Sequence, residues 1–393
     1  MSKRLVYLDN AATTPVREEA LEAMLPYLGK DAFGNPSSAH RFGRAARAGI
    51  EEAKRSIAEA LGGGAEPSQV IFTSGGTEAD NLAVIGCALA ARDHGGPFRA
   101  AVSAIEHKAV LAAAHALTRL GGEEIVLPVN ASGTVEEDAL AEALTRGAAV
   151  VSVMWVNNEV GVIQPVARLA ARCRAAGVPF HTDAVQAFGK IPVSLHDVDC
   201  TFLTISGHKI GAPKGIGALV VRDRHAVEAI IHGGGQQFGI RPGTENVPGI
   251  VGLGRAVELA AAEQAEFAQR VAALRDELER RLLATVPDAV INAWQAPRAP
   301  HVTNVAIPGT DSEALLMHFD LAGIACSSGS ACSTGAVEPS HVLTAMGVPR
   351  ELGVAALRFS FGKDNVIEDV EAVIAAVPKI VDKVRQLAAV LHR

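Results

Sequence analysis

The chain has 393 residues, 36 basic and 43 acidic, giving a net charge of −7, with 49% hydrophobic and 20% charged residues. That balance suits a compact protein long enough for two domains and a large core, and without a long basic run it offers nothing to neutralise the phosphates of a nucleic acid. The N-terminus "MSKRLVYLDNAATT" lacks an apolar signal segment and no apolar run of about 18 residues could span a bilayer, so a cytoplasmic protein with no membrane partner is expected.

Taken in chain order, "PSSAHRFGRAARAGIEEAKRSIAEALGGG" has helical periodicity and a glycine stop. From Gln69 to Val221 short apolar runs alternate with amphipathic segments: "QVIFTSGG" then "TEADNLAVIGCALAA", "AAVVSVMWVNN" then "PVARLAARCRAAG", followed by "VPFHTDAVQ", "CTFLTISG" and "GIGALVV". This is the pattern of an α/β unit with a mainly parallel sheet covered on both faces. After Gly252, "LGRAVELAAAEQAEFAQRVAALRDELERRLLATV" reads as one long connecting helix. Strands are expected at "HVTNVAI" and "ALRFSF", and a final amphipathic helix at "VIEDVEAVIAAVPKIVDKVRQLAAVL", which makes a smaller α+β unit. The expected division is 15–260 for the large domain, and 1–14 with 261–393 for the small one.

Five cysteines, at 87, 173, 200, 326 and 332, form an odd set without CxxC spacing, which argues against a disulfide framework or a Cys-rich zinc site. Cys87, Cys173 and Cys200 lie in apolar or helical contexts, and Cys326 closes an apolar run. Cys332, within "IACSSGSACSTGAVEPSHV", sits among Ser, Gly, Ala and Thr, a setting hard to bury and open to thiolate chemistry.

Lys209, in "TFLTISGHKIGAPKGIGAL", follows an apolar strand and precedes a glycine-rich loop. It is either a solvated loop charge or an amine made nucleophilic by partial desolvation. Asp183 ends the strand of "VPFHTDAVQAFGK", where a buried carboxylate needs a cationic or hydrogen-bonding partner. A pyridinium nitrogen would serve, since pyridoxal phosphate pairs a lysine Schiff base with an acidic residue at its ring nitrogen. The plainer role for Asp183 is a helix cap, and Gln186 fits either that cap or a bond to the ring hydroxyl. In "FTSGGTEADNLAV", Gly75, Gly76 and Thr77 open a helix whose free N–H groups suit a phosphate. Ser206 and His208 add a hydroxyl and an imidazole beside the lysine. His107, after the strand before "AIEHKAV", could stack on the ring and shuttle protons.

With these segments in place the chain resembles a pyridoxal-phosphate-dependent cysteine desulfurase of the NifS/IscS type, within the class V aminotransferase family. The resemblance rests on "YLDNAATTP", "FGNPSSAH", "FTSGGTEADN", "EHKAV", "VNNEVG", "HTDAVQAFGK", "SGHKIGAPKGIGAL", "RPGTEN", "SSGSACSTGAVEPSHVL" and "LRFSFG", which run in family order across nearly the whole chain. It implies a fold-type-I homodimer whose large domain has a mainly parallel seven-stranded sheet, with Lys209 joined to pyridoxal 5'-phosphate and Asp183 at the ring nitrogen. His107 would stack on the ring, Gln186 would meet its hydroxyl, and Gly76, Thr77, Ser206 and His208 would hold the phosphate, joined by Thr244 from the neighbouring subunit. Asn158 and Arg358 match the positions that hold the carboxylate of the substrate, L-cysteine, and Asn35 would line the same pocket. Arginine suits that task because its planar fork makes two parallel bonds to a carboxylate.

Cys332 would take the substrate sulfur as a persulfide, release alanine and pass the sulfur to an iron–sulfur scaffold protein. "VSVMWVNNEVG" and "FHTDAVQA" lean towards the nitrogen-fixation branch. Cys332 would also be a transient ligand to a cluster on that scaffold. One departure is Phe238, in "GGGQQFGIRPGTEN", where relatives carry a basic residue. The alternatives are a selenocysteine lyase, an aminotransferase of the same fold, and a catalytically silent sulfur carrier.

Overall fold

The computed structural model describes residues 4–328 and 338–391, so Cys332 lies outside the described residues. The strands in chain order are β1 (Val6–Tyr7), β2 (Val70–Thr73), β3 (Arg99–Ser103), β4 (Glu123–Leu127), β5 (Val150–Ser152), β6 (Phe180–Asp183), β7 (Phe202–Ser206), β8 (Gly217–Val221), β9 (Val290–Ile291), β10 (Val302–Ala306), β11 (Ile324–Ala325) and β12 (Ala356–Ser360). Seven of them make one sheet in the order β2-β8-β7-β6-β5-β3-β4. β8 is antiparallel to both neighbours, and the remaining adjacent pairs are parallel. The expected α/β class and its mainly parallel seven-stranded sheet are therefore present.

Every residue of β2, β6, β7 and β8 is buried. Helices cover both faces of such a sheet, which is why β2 and β8 are almost wholly apolar, while β6 and β7 bury the polar His181, Thr182, Asp183, Thr204 and Ser206 as well. Each fully buried Ile, Leu, Val or Phe contributes about 1.5–3 kcal/mol. Residues at the carboxyl ends of β2, β3, β5, β6 and β7 lead into the segments holding Gly76, His107, Asn158, Gln186 and Lys209. An open parallel sheet binds its ligands in the crevice at those ends.

A second layer contains the antiparallel sheet β12-β10-β9 and the parallel pair β1-β11. Val6 and Leu8 share its core with Leu278, Phe319, Phe359, Phe361 and Val377.

The single connecting helix expected after Gly252 is two helices, Val247–Ala262 and Gln264–Thr285. The first begins earlier than its periodicity suggests, because Asn246 caps it by accepting from Gly249 N. The break falls at Glu263, whose carboxylate takes both terminal nitrogens of Arg17 at 2.9 and 2.8 Å. The upstream helix runs from Arg41 to Ala60, with His40 accepting from Gly43 N. Among the described residues no helix is long and apolar enough to cross a membrane.

Candidate active site

A cavity of about 480 Å3 opens at the carboxyl ends of the parallel strands, a size suited to a small cofactor with its substrate. Gly76, Thr77, His107, Asn158, Asp183, Gln186, Ser206, His208, Lys209 and Arg358 all line it. Ten residues singled out from six separated segments are thus brought to one place. Thr244 and Asn35 are exposed and do not line this cavity.

Lys209 ends a short turn, Gly207–Lys209, directly after β7. Its Nζ donates to the main-chain carbonyls of Ala11 and Ala12, both at 2.6 Å. Burial first, then the Arg358 guanidinium, push its pKa down to about 8, with Asp183 and Asp9 opposing. At pH 7 about a tenth of Lys209 is free amine, a few hundred times the fraction of an ordinary lysine. Protein stripped of cofactor should therefore react with pyridoxal phosphate at a rate that rises about tenfold per pH unit up to pH 8 and then levels. A rate still climbing to pH 10 in stopped-flow absorbance would mean an unperturbed amine.

Asp183 is buried at the end of β6, and one of its carboxylate oxygens accepts from Val185 N at 2.8 Å. Burial raises its pKa, while His107 and Lys209 hold it down. Two further carboxyls lie within its field: Asp80, which lines the cavity, and Glu106. Burial and then the Asp183 charge drive Asp80 well up; burial, followed by a bond from Met154 N that opposes it, leaves Glu106 well up too. One oxygen of each, Oδ1 of Asp80 and Oε2 of Glu106, is buried without a hydrogen bond, that of Asp80 lying 3.7 Å from Nε2 of His181. Like charges so placed cannot all ionise, and charge is favoured on Asp183, the carboxyl of the three that is raised least and that has the Lys209 amine beside it.

His107 faces the open cavity and caps the helix Lys108–Arg119, its Nδ1 accepting from Ala109 N at 3.1 Å. The bond places the proton of the neutral ring on Nε2. The surrounding protein lowers its pKa, Asp183 raises it, and Lys209 and Lys108 lower it further. The 3.0 Å contact between Gln186 Oε1 and His301 Nε2, together with the 2.8 Å bond from Gln186 Nε2 to the Ala11 carbonyl, fixes the Gln186 amide. One amide N–H is then left for a ligand.

At the other end, a Cβ on Gly76 would meet Val185 Cγ2 at 3.2 Å and Ser206 Cβ at 3.4 Å. The helix begun there runs without a break through a π segment to Asp93. Ser206 is buried, and His208, pushed down to about 4 by burial and then by Lys209, is a neutral donor or acceptor with Nδ1 3.2 Å from Thr13 Oγ1. Arg241 pairs with Glu78 on that helix at 2.7 Å. Phe238 adopts a left-handed backbone (φ 61°), and its half-exposed ring lies 4.2 Å from the Arg224 guanidinium and 5.1 Å from Lys54 Nζ.

Arg358, on β12, donates to the Asn158 carbonyl at 2.9 Å and to Asp9 at 2.7 Å. Its buried Nε has no partner. A buried guanidinium N–H beside a cavity is costly unless a ligand oxygen satisfies it.

Together these groups fit pyridoxal phosphate: an amine of lowered basicity, an anionic carboxylate, a neutral imidazole, and a helix start with small residues for an anion. Sequence reasoning missed the carbonyls of Ala11 and Ala12, Asp9, Asp80, Glu106 and His301. The first three belong to "YLDNAATTP", one of the segments on which the family resemblance rests. Cys87, Cys173 and Cys200 are buried, and burial pushes each thiol up to about 12. The same cause takes Cys326 to about 12. Among the described residues no cluster of His, Cys, Asp or Glu is arranged to hold a metal ion, and the cluster contact expected of Cys332 lies outside them.

The class-V aminotransferase family model matches residues 6–373. A cysteine desulfurase, IscS, of Dictyoglomus turgidum is 43% identical over 98% of this chain and 97% of its own. The crystal structure of a NifS-like protein from Rickettsia africae is 35% identical, with a TM-score of 0.85 over 96% of this chain and 100% of that one. A structure of SspA in complex with cysteine is also 35% identical, with a TM-score of 0.80 over 92% of this chain and 100% of that one.

Proposed function

The chain belongs to the class-V aminotransferase family and within it to the pyridoxal-phosphate-dependent cysteine desulfurases, and from that premise we propose that it moves the sulfur of L-cysteine onto Cys332 for iron–sulfur cluster assembly, nitrogenase clusters included. The observation that carries the reading is the convergence of Lys209, Asp183, His107 and Arg358 on one cavity.

Bound there, the cofactor supplies an electron sink for the carbon skeleton of the substrate. Asp183 keeps a negative charge against the ring nitrogen. Lys209 holds the cofactor aldehyde and, once released, moves the substrate α-proton between its Nζ and the carbon. Arg358 and Asn158 hold the substrate carboxylate, and His107 exchanges a proton at the sulfur through Nε2. Gly76, Thr77, Ser206 and His208 hold the phosphate. The Cys332 thiolate then attacks the substrate sulfur: an S–S bond forms and the C–S bond breaks. The sulfur pair is oxidised by two electrons and the β-carbon reduced by two, so that alanine leaves with the proton it has gained and Cys332 keeps a persulfide.

The quaternary part of the proposal is a cytoplasmic homodimer. Exposed Leu21, Leu25, Leu28 and Phe33 support an apolar interface near the N-terminus, and the exposure of Thr244 fits a residue offered to the phosphate of a neighbouring subunit. Asn35 is assigned to the pocket of the substrate carboxylate, with Asn158 and Arg358. The domain division at 14/15 and 260/261 is favoured by the common core of Val6 and Leu8 with residues from Val271 to Val384, although Ala299, Val342 and Ala356 join the larger core.

The test is alanine release from L-cysteine by the loaded protein, with sulfide released when an added thiol reduces the persulfide and is itself oxidised to the disulfide. Cys332→Ala should lose sulfide release and persulfide transfer to a scaffold protein while keeping the full visible absorbance of the cofactor. Undiminished sulfide release by this variant rejects the role of Cys332. Alanine released from selenocysteine but not from cysteine by the unaltered protein points instead to the lyase.

A further inference from the structure

Lys190 lies beyond β6, seven residues after Asp183, and only 6% of it is exposed. Its Nζ donates to two main-chain carbonyls, that of Lys209 at 2.9 Å and that of Phe188 at 3.2 Å. No carboxylate pairs with it among the described residues. Gly189, at φ 72°, turns the chain inward just before it, where a Cβ would meet the Ala260 Cβ at 2.9 Å.

The turn that carries Lys209 is held by its carbonyls in succession. Thr14 donates to His208 O through N at 2.9 Å and Oγ1 at 3.0 Å. Arg17 donates to Ile210 O through Nε at 3.2 Å and to Gly211 O through N at 2.8 Å. These ties all come from residues 14 and 17. The carbonyl of Lys209 itself is tied instead to the stretch that carries Asp183 and Gln186.

We propose that Lys190 is a positioning residue, whose two N–H···O=C bonds hold the Lys209 turn in register with the turn that bears Asp183 and Gln186, fixing the spacing between the cofactor's amine and its carboxylate. An uncharged amine has two N–H groups, and two carbonyls receive them. Burial first, then Lys209 and Arg17, push the Lys190 pKa down to about 7. The tie therefore needs no counter-ion, and near neutral pH it adds less than a full positive charge next to Lys209.

The inference rests on the cofactor reading above. Wild type, Lys190→Met and Lys190→Arg are stripped of cofactor and titrated with pyridoxal phosphate, recording Kd, the pH titration of the visible band, and Tm without cofactor. Methionine fills the space but leaves two buried carbonyls without donors, so Kd should rise by about 10- to 100-fold and the midpoint of the band should move. Arginine, which keeps N–H donors, should recover part of both. A wild-type Kd and an unmoved titration in Lys190→Met overturn the inference, even with a lower Tm, since that pattern belongs to a merely structural lysine. If Lys190→Met does not fold, Lys190→Gln, too short to span both carbonyls, is judged by the same two readings. A wild-type protein with no visible band overturns the cofactor reading as well; a normal wild-type band with an unchanged variant overturns this inference alone.

Discussion

Lys209→Ala should yield a folded protein that forms no borohydride-reducible adduct with pyridoxal phosphate and desulfurates L-cysteine about four orders of magnitude more slowly. That is the upper end for a residue that moves a proton at the reacting carbon. Here the same amine also holds the cofactor. Folding should survive because the native state gives up a partly desolvated cation along with its bonds. The Ala12 carbonyl loses its donor while that of Ala11 keeps the bond from Gln186 Nε2, and both line a cavity that water can enter. Peptide mapping after borohydride reduction is the decisive measurement. A reduced adduct found on another lysine in the wild-type protein, or activity within tenfold in the variant, would end the assignment.

The second large effect is expected of Asp183→Asn. The Val185 N–H can still donate to the amide oxygen, so the turn after β6 should keep its shape. What disappears is the negative charge, which burial opposes and which His107 and Lys209 sustain. Without it a ring nitrogen in the cavity loses its proton and the ring ceases to drain charge from the substrate, so kcat should fall by about 10²–10⁴-fold with a smaller change in KM. The sign of the pH dependence follows. The Asp183 pKa lies above the ordinary carboxylate range, so cofactor affinity should weaken as pH falls through it in the wild type. The asparagine variant should lack that limb. Equal kcat in the two proteins, or an acid limb persisting in the variant, would show that another group carries the charge.

Asp80 and Glu106 sharpen this point. The Asp183 charge helps to raise two further buried carboxyls, and a reading of residues in order could single out only the one at the end of an apolar strand. Asp80 sits one helical turn beyond Gly76, inside a segment read as a phosphate cradle, and nothing local marks it as facing the same cavity as Asp183. Glu106 adjoins His107, where the imidazole drew the functional reading. Asp80 reaches the wall of the cavity that Asp183 lines, and Glu106 lies just behind it, because β2, β3 and β6 end on the same edge of one sheet.

The amino-acid order by itself determined the class of fold and most of the candidate site. Apolar runs such as "GALVV" suit a sheet covered by helices on both faces, and the turns after parallel strands collect at one sheet edge, where residues such as Lys209, Asp183 and Gly76 converge. The tertiary structure alone decided what each of those side chains touches. Lys209 meets Ala11 across 198 positions, Arg358 meets Asp9 across 349, and His301 turns the Gln186 amide across 115. The helix expected to run on past Ala262 breaks at Glu263, where Arg17 reaches it from the far end of the chain. Hydrophobic period and turn chemistry are written in neighbouring residues, whereas hydrogen bonds and desolvation depend on which distant groups the packed chain brings within a few ångströms.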